Sequence, residues 1–188
     1  MTRFHTIALD RARVQRWANG GGITRELAAW PHPDDWKLRV SVARVDHSGP
    51  FSPYPAVERW FAVIDGPGVQ LMLPEGPKNV FKGDAPLRFE GEAAPHCHLL
   101  EGPSLDLNLM VRRGAGVARM ERAHAGSVLE GTTIWRGVFA AGPVLLDIDG
   151  ITEPLHAGTL AWTDDQAAQR WELHDRSLGP AWWLVLQV

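Results

Sequence analysis

Arginine is the residue in this chain best suited to holding a small anion. Its planar guanidinium offers a carboxylate two parallel, charge-assisted hydrogen bonds. The candidates are Arg25, Arg39, Arg59, Arg112 and Arg113. Arg25 and Arg39 lead, with Asn19, Thr24, Ser41, Asp106 and Asn108 as neutral or orienting partners. Carboxylates such as Glu26, Glu58 and Asp106 are expected to claim some of these arginines for purely structural pairs. A second chemistry is offered by His96-Cys97-His98 with Glu101 close behind. Alternate residues of a strand share a face, so His96 and His98 could chelate a metal ion. Cys97 would then point the other way, which argues against a thiol activated by its neighbours. The remaining histidines, His5, His32, His47, His124, His156 and His174, are scattered and form no pattern.

One stretch is unlike an ordinary loop: Trp17-Ala18-Asn19-Gly20-Gly21-Gly22-Ile23-Thr24-Arg25-Glu26-Leu27. Three successive glycines free the backbone and allow close approach by another group. A tight turn between two strands would use the same residues. A phosphate-binding P-loop is excluded, because the Lys-Ser/Thr ending is missing.

The elements that must position these residues read as short strands. Glycine (19) and proline (14) are spread along the whole chain and interrupt many short apolar runs, as in a sandwich or barrel. In 37–44, Leu38, Val40 and Val42 take one face and Lys37, Arg39 and Ser41 the other. In 105–112, four apolar residues share one face, and Asp106, Asn108, Met110 and Arg112 share the other. On alternation alone that polar face could meet solvent or line a pocket. Further strands are expected at 60–64, 69–73, 132–135, 138–141, 144–148, 160–163, 169–173 and 181–188, with a short helix at 118–130. The pattern strand, turn, Gly83 to Phe89 resembles the later strand, turn, Gly158 to Trp162, a faint internal repeat that fits duplicated barrels. Trp162, Trp171, Trp182 and Trp183 are expected to fill the second half or a subunit contact. The run 182–186 must be central or covered, so a homodimer is a possible arrangement.

Composition narrows the function classes. With 188 residues the chain can bury a core without staples, and 45% hydrophobic with 22% charged residues is ordinary for a globular protein. The net charge of −3 and the absence of a basic run argue against nucleic-acid binding. The single cysteine allows no internal disulfide. The N-terminal segment carries Arg3, His5 and Asp10, unlike a signal peptide, and no apolar run nears the ~20 residues of a membrane span. No membrane association and a cytoplasmic location are expected.

Several blocks occur in order and together resemble the HutD/Ves family. They are 17–27, then Trp36 to Ala43, Gly49 to Pro55 with Arg59, Phe89 to Glu92, and Gly102 to Arg113. The resemblance spans roughly residues 5–188 and is strongest through Arg113. It implies an all-β bicupin, a double β-barrel of the cupin type (RmlC-like jelly roll), with halves at 1–115 and 116–188 and N-terminal strands free to cross over. It also implies a link to histidine utilisation, and it brings no established reaction or cofactor. Barrels of this kind hold ligands in their interior. The ligand-binding residues are therefore expected to be Asn19, Thr24, Arg25, Arg39, Ser41, Arg59, Asp106 and Asn108, around a small anionic metabolite such as urocanate or formiminoglutamate. Metal at His96 and His98 is disfavoured: Glu101 is too near for the usual cupin spacing, no later block supplies another histidine, and the family pattern requires neither. The leading expectation is a metal-free binder; the rivals are a cupin enzyme (oxygenase, isomerase or hydrolase) and a protein-interaction module.

Overall fold

The computed structural model describes residues 4–174 and 179–188; Arg3 lies outside them. The chain divides into two compact units, Ala12–Ala115 and a second made of Gly116–Val188 with the segment up to Arg11. Strand β1 (His5–Ala8) accordingly pairs with Thr159–Thr163, far along the chain.

The first unit contains β2 (Arg13–Arg16), β3 (Gly22–His32), β4 (Asp35–Val45), β5 (Gly49–Pro50), β6 (Val57–Asp65), β7 (Val69–Leu73), β8 (Gly76–Val80), β9 (Leu87–Glu90), β10 (His96–Leu99) and β11 (Ser104–Arg112). They form a six-stranded sheet in the order β2-β3-β4-β11-β6-β9 and a four-stranded sheet in the order β5-β10-β7-β8. The alternation in β4 and β11 sets the chemistry. Leu38, Val40, Val42, Leu107 and Leu109 occupy one face and are fully buried. Register aligns the opposite face into rows: Arg39, Met110 and Arg59; Glu26, Ser41, Asn108 and Phe61; Thr24, Ala43, Asp106 and Val63. Phe61, Val63, Val69, Leu71, Phe89 and Cys97 are among the residues of this unit's apolar core.

The second unit adds β12 (Val117–Ala123), β13 (Val128–Gly131), β14 (Trp135–Ala140), β15 (Val144–Ile148), β16 (Ile151–Leu155), β17 (Thr159–Thr163), β18 (Gln169–Leu173) and β19 (Ala181–Gln187). Its sheets run β1-β17-β14-β19-β12 and β13-β18-β15-β16. Its core includes Val138, Leu146, Trp171, Trp183 and Val185.

Two expectations need correction. The helix expected over 118–130 is instead β12 and β13. Ala118 and Met120 are buried while Val117 and Arg119 are exposed, a period of two rather than 3.6. Among the described residues there is no α-helix, only a single 3-10 turn at Gly91–Ala93. The strand expected at 132–135 begins only at Trp135. The preceding residues are held as a loop by Arg136, which donates to Gly131 O (2.6 Å) and Thr133 Oγ1 (2.9 Å). Trp182 and Trp183 are buried within the chain itself, on β19 between β14 and β12, so they supply no argument for a subunit contact.

Candidate functional site

The first unit encloses a cavity of about 590 Å³. Its mouth is shaped by the glycine triplet. Trp17 N donates to Gly22 O (3.0 Å), Gly20 N to Trp17 O (3.0 Å), and Gly21 N to Asn19 Oδ1 (2.9 Å), so Asn19 closes the turn with its own side chain. Gly20 sits at φ +70°, in the left-handed region. A Cβ on Gly22 would lie 2.2 Å from Arg44 O, so only glycine lets β3 approach β4 there. Beyond the turn, Trp17 Nε1 donates to Thr24 Oγ1 (2.8 Å), which fixes the indole at the cavity wall.

Six of the expected residues line this cavity: Asn19, Thr24, Arg39, Ser41, Arg59 and Asn108. Asp106 lies on the same face of β11 as Asn108 but is fully buried and does not reach the lining. Arg25 is the departure. It follows Thr24 on β3 and pairs with Val42, so it belongs to the face turned away from the cavity. From Gly22 onward the glycine-rich stretch is strand, so neighbours alternate and Arg25 lies on the face opposite Thr24. His96 and His98 are exposed on the outer face of β10, with ring centroids 4.5 Å apart, while Cys97 is buried in the core. Burial pushes the Cys97 thiol up to about 12. Arg113 is held on the surface by Glu90 and Glu92, and Arg112 donates to Trp36 O.

The two arginines of the cavity differ. Arg39 Nε donates to Glu26 Oε2 at 2.6 Å, and its Nη1 approaches Met110 Sδ at 3.9 Å. Arg59 is buried with no carboxylate hydrogen-bonded to it among the described residues. Its Nη2 donates to Asn108 Oδ1 (2.9 Å), its Nε has no partner, and its guanidinium lies 5.1 Å from the rings of Phe51 and Phe89 and 5.8 Å from Tyr54. Desolvation brings its pKa down to about 10, still charged at neutral pH. Asp106 accepts a hydrogen bond from Ser104 Oγ, while its Oδ2 is buried without a partner. Burial pushes this carboxyl up to about 7, against the opposing pull of Ser104 and of Arg59's charge.

Sequence reasoning did not single out Gln15, Arg16, Trp17, Phe51, Ser52, Pro53, Tyr54 and Met110 as cavity residues. The signal for some of them was present in the block Gly49 to Pro55. The site therefore pairs a deep cationic end, Arg39 and Arg59 with Ser41 and Asn108, with an aromatic wall of Trp17, Phe51 and Tyr54. Such a site can grip a carboxylate by charge-assisted hydrogen bonds and cover the ligand's body with apolar surface. Among the described residues no group of three or more His, Cys, Asp or Glu side chains is placed to hold a metal ion, and no helix is long and apolar enough to cross a membrane.

A family model described as HutD matches residues 10–178. Protein Ves of Cronobacter sakazakii is 30% identical over 174 residues, covering 90% of this chain and 81% of that protein. A conserved protein of unknown function from Pseudomonas aeruginosa PAO1 superposes with a TM-score of 0.88 at 24% identity, over 100% of both chains. HutD from Pseudomonas fluorescens SBW25, determined in a formate condition, gives 0.85 at 22% identity over 98% of each. Salicylate 1,2-dioxygenase of Pseudoaminobacter salicylatoxidans gives 0.63 at 9% identity, over 97% of this chain and 82% of that one. These structural likenesses concern the fold alone, an all-β, cupin-type jelly roll.

Proposed function

The chain belongs to the HutD family, and from that premise we propose that its first unit binds a small carboxylate metabolite and so modulates histidine utilisation. The observation that carries this reading is Arg59: a buried, charged guanidinium with no carboxylate hydrogen-bonded to it among the described residues, lining the cavity beside Arg39. A buried charge left without an opposite charge in contact is costly, and an anion entering the cavity supplies one. The cavity exceeds what formate needs and suits a ligand with a body as well as a carboxylate head. Urocanate and formiminoglutamate are the class the family link suggests. The arginines suit recognition of an anion, so the reading is of a binder, acting as a sensor or modulator.

The test is a thermal-shift screen of metal-stripped protein against histidine, urocanate, formiminoglutamate, glutamate and formate, repeated with divalent metals. A dose-dependent rise in Tm with a carboxylate, and no metal requirement, is expected, because a ligand specific to the native state raises apparent stability. A rise only with added metal would move the reading to a cupin enzyme. No rise under any condition would move it to a protein partner.

A further inference from the structure

Resting on that reading of the cavity, we infer that Asp106 makes anion binding proton-coupled: an anion that reaches Arg59 is accompanied by one proton taken from solvent onto the Asp106 carboxyl. Asp106 is thus a positioning residue for the cavity's charge, not a group that touches the ligand.

The geometry is that of two opposite charges that sense each other without contact. Asp106 is fully buried in the row Thr24, Ala43, Asp106 and Val63, with only Ser104 bonded to its carboxyl and Oδ2 left unpartnered. Arg59 belongs to the neighbouring part of the same face and leaves Nε unpartnered. Asn108 stands between them: its Oδ1 accepts from Arg59 and its Nδ2 donates to Asp106 O at 3.3 Å. With the cavity empty, burial opposes the ionised carboxyl, while the Ser104 bond first and Arg59's charge second favour it. A bound carboxylate offsets Arg59's share and adds a like charge nearby, which moves the balance toward the acid form. The proton goes to Asp106, and the ligand takes over as counter-charge to Arg59.

The other groups around Asp106 are accounted for. From β6 there is Arg59, and from β10 Cys97, whose thiol is raised to about 12 and stays neutral. Around Arg59 in turn stand Arg39, paired with Glu26, from β4 and β3, and Tyr54 from the segment before β6. Of the groups whose ionisation burial moves, Arg59 and Cys97 keep one charge state through the neutral range and Asp106 does not.

The experiment is calorimetric titration of the whole protein with sodium formate, which does not itself titrate near neutrality, in two buffers of different ionisation enthalpy. Net proton uptake, at most one proton per formate, is expected near pH 8, with affinity falling by up to about tenfold from about pH 6 to about pH 8. Asp106→Asn should bind formate with no such fall and no proton uptake. Ser104→Ala removes the bond that favours the ionised carboxyl, so its fall should begin at higher pH, which keeps the test decisive if Asp106→Asn does not fold. Formate binding without proton uptake, with wild type and Asp106→Asn weakening alike, overturns the coupling and leaves the carboxylate reading standing. Failure of every carboxylate in the screen to bind at any pH overturns both.

Discussion

In the first unit the central strand β11 turns Asp106, Asn108 and Met110 inward; in the second its counterpart β19 turns Trp183 and Val185 inward. The correspondence is topological. β6 pairs with β9 and β11 as β14 pairs with β17 and β19, and β7 pairs with β8 and β10 as β15 pairs with β16 and β18. Asp106 faces Val63, six residues before Val69; Trp183 faces Val138, six residues before Val144. Each unit also buries an inward arginine. Arg136 is fully engaged by Thr133 Oγ1, Gln169 O and Gly131 O, whereas Arg59 keeps an unpartnered Nε beside the cavity. The strand plan therefore does not decide what lines the inner face of each unit. Side-chain volume and unsatisfied polarity at matched positions do.

The largest expected effect tests the filled unit. Trp183 is 1% exposed in the second core. Trp183→Ala should cost about 3–5 kcal/mol of stability in urea denaturation, through lost burial and the cavity left behind. Formate affinity, measured where the variant is folded, should stay at the wild-type value; a matching loss of affinity would break the division of labour between the units.

The contrast between the two arginines predicts opposite phenotypes. Arg59→Met should abolish measurable carboxylate binding, a loss on the order of 2–5 kcal/mol, and should lower stability less than Arg136→Met, since the unpaired Asn108 Oδ1 it leaves is offset by removal of a buried charge. Arg136→Met should leave binding intact and lower stability by about 1–3 kcal/mol for a buried carbonyl left unpaired. Equal destabilisation by both, with binding retained in Arg59→Met, would make Arg59 a structural residue like Arg136.

How much of this was legible follows from the same physics. Strands whose whole length is apolar or cleanly alternating coincide with the expected bounds, as at Val69–Leu73, Val144–Ile148 and Gln169–Leu173. β12 and β13 were obscured because Arg119, Glu121 and Arg122 interrupt the apolar pattern with charges at partly exposed positions. In the candidate site, Arg39, Ser41 and Asn108 were readable because alternation assigns each to a face, and only the destination of that face was open. Arg25 was misplaced because a glycine-rich stretch hides the point where turn becomes strand. Phe51 and Tyr54 reach the cavity from a segment without periodicity, where sequence gives no direction for a side chain. The upward shift of the Asp106 carboxyl comes from complete burial, which no alternation pattern reports.

Two glycines sharpen the comparison at the smallest scale. A Cβ on Gly22 would stand 2.2 Å from Arg44 O, and one on Gly137 would stand 2.8 Å from the Trp135 ring and 2.9 Å from Ala161 O. Both are close approaches between neighbouring strands, so Gly22→Ala and Gly137→Ala should each destabilise by about 1–3 kcal/mol as strands or rings shift to make room. Only Gly22 belongs to the turn that carries Trp17, Asn19 and Thr24 to the cavity mouth. Gly22→Ala should therefore weaken carboxylate binding as well, while Gly137→Ala should leave the binding isotherm unchanged at a temperature where both are folded. If the two variants lose stability equally and bind equally, the glycine triplet serves strand approach alone, and the mouth of the cavity tolerates a displaced turn.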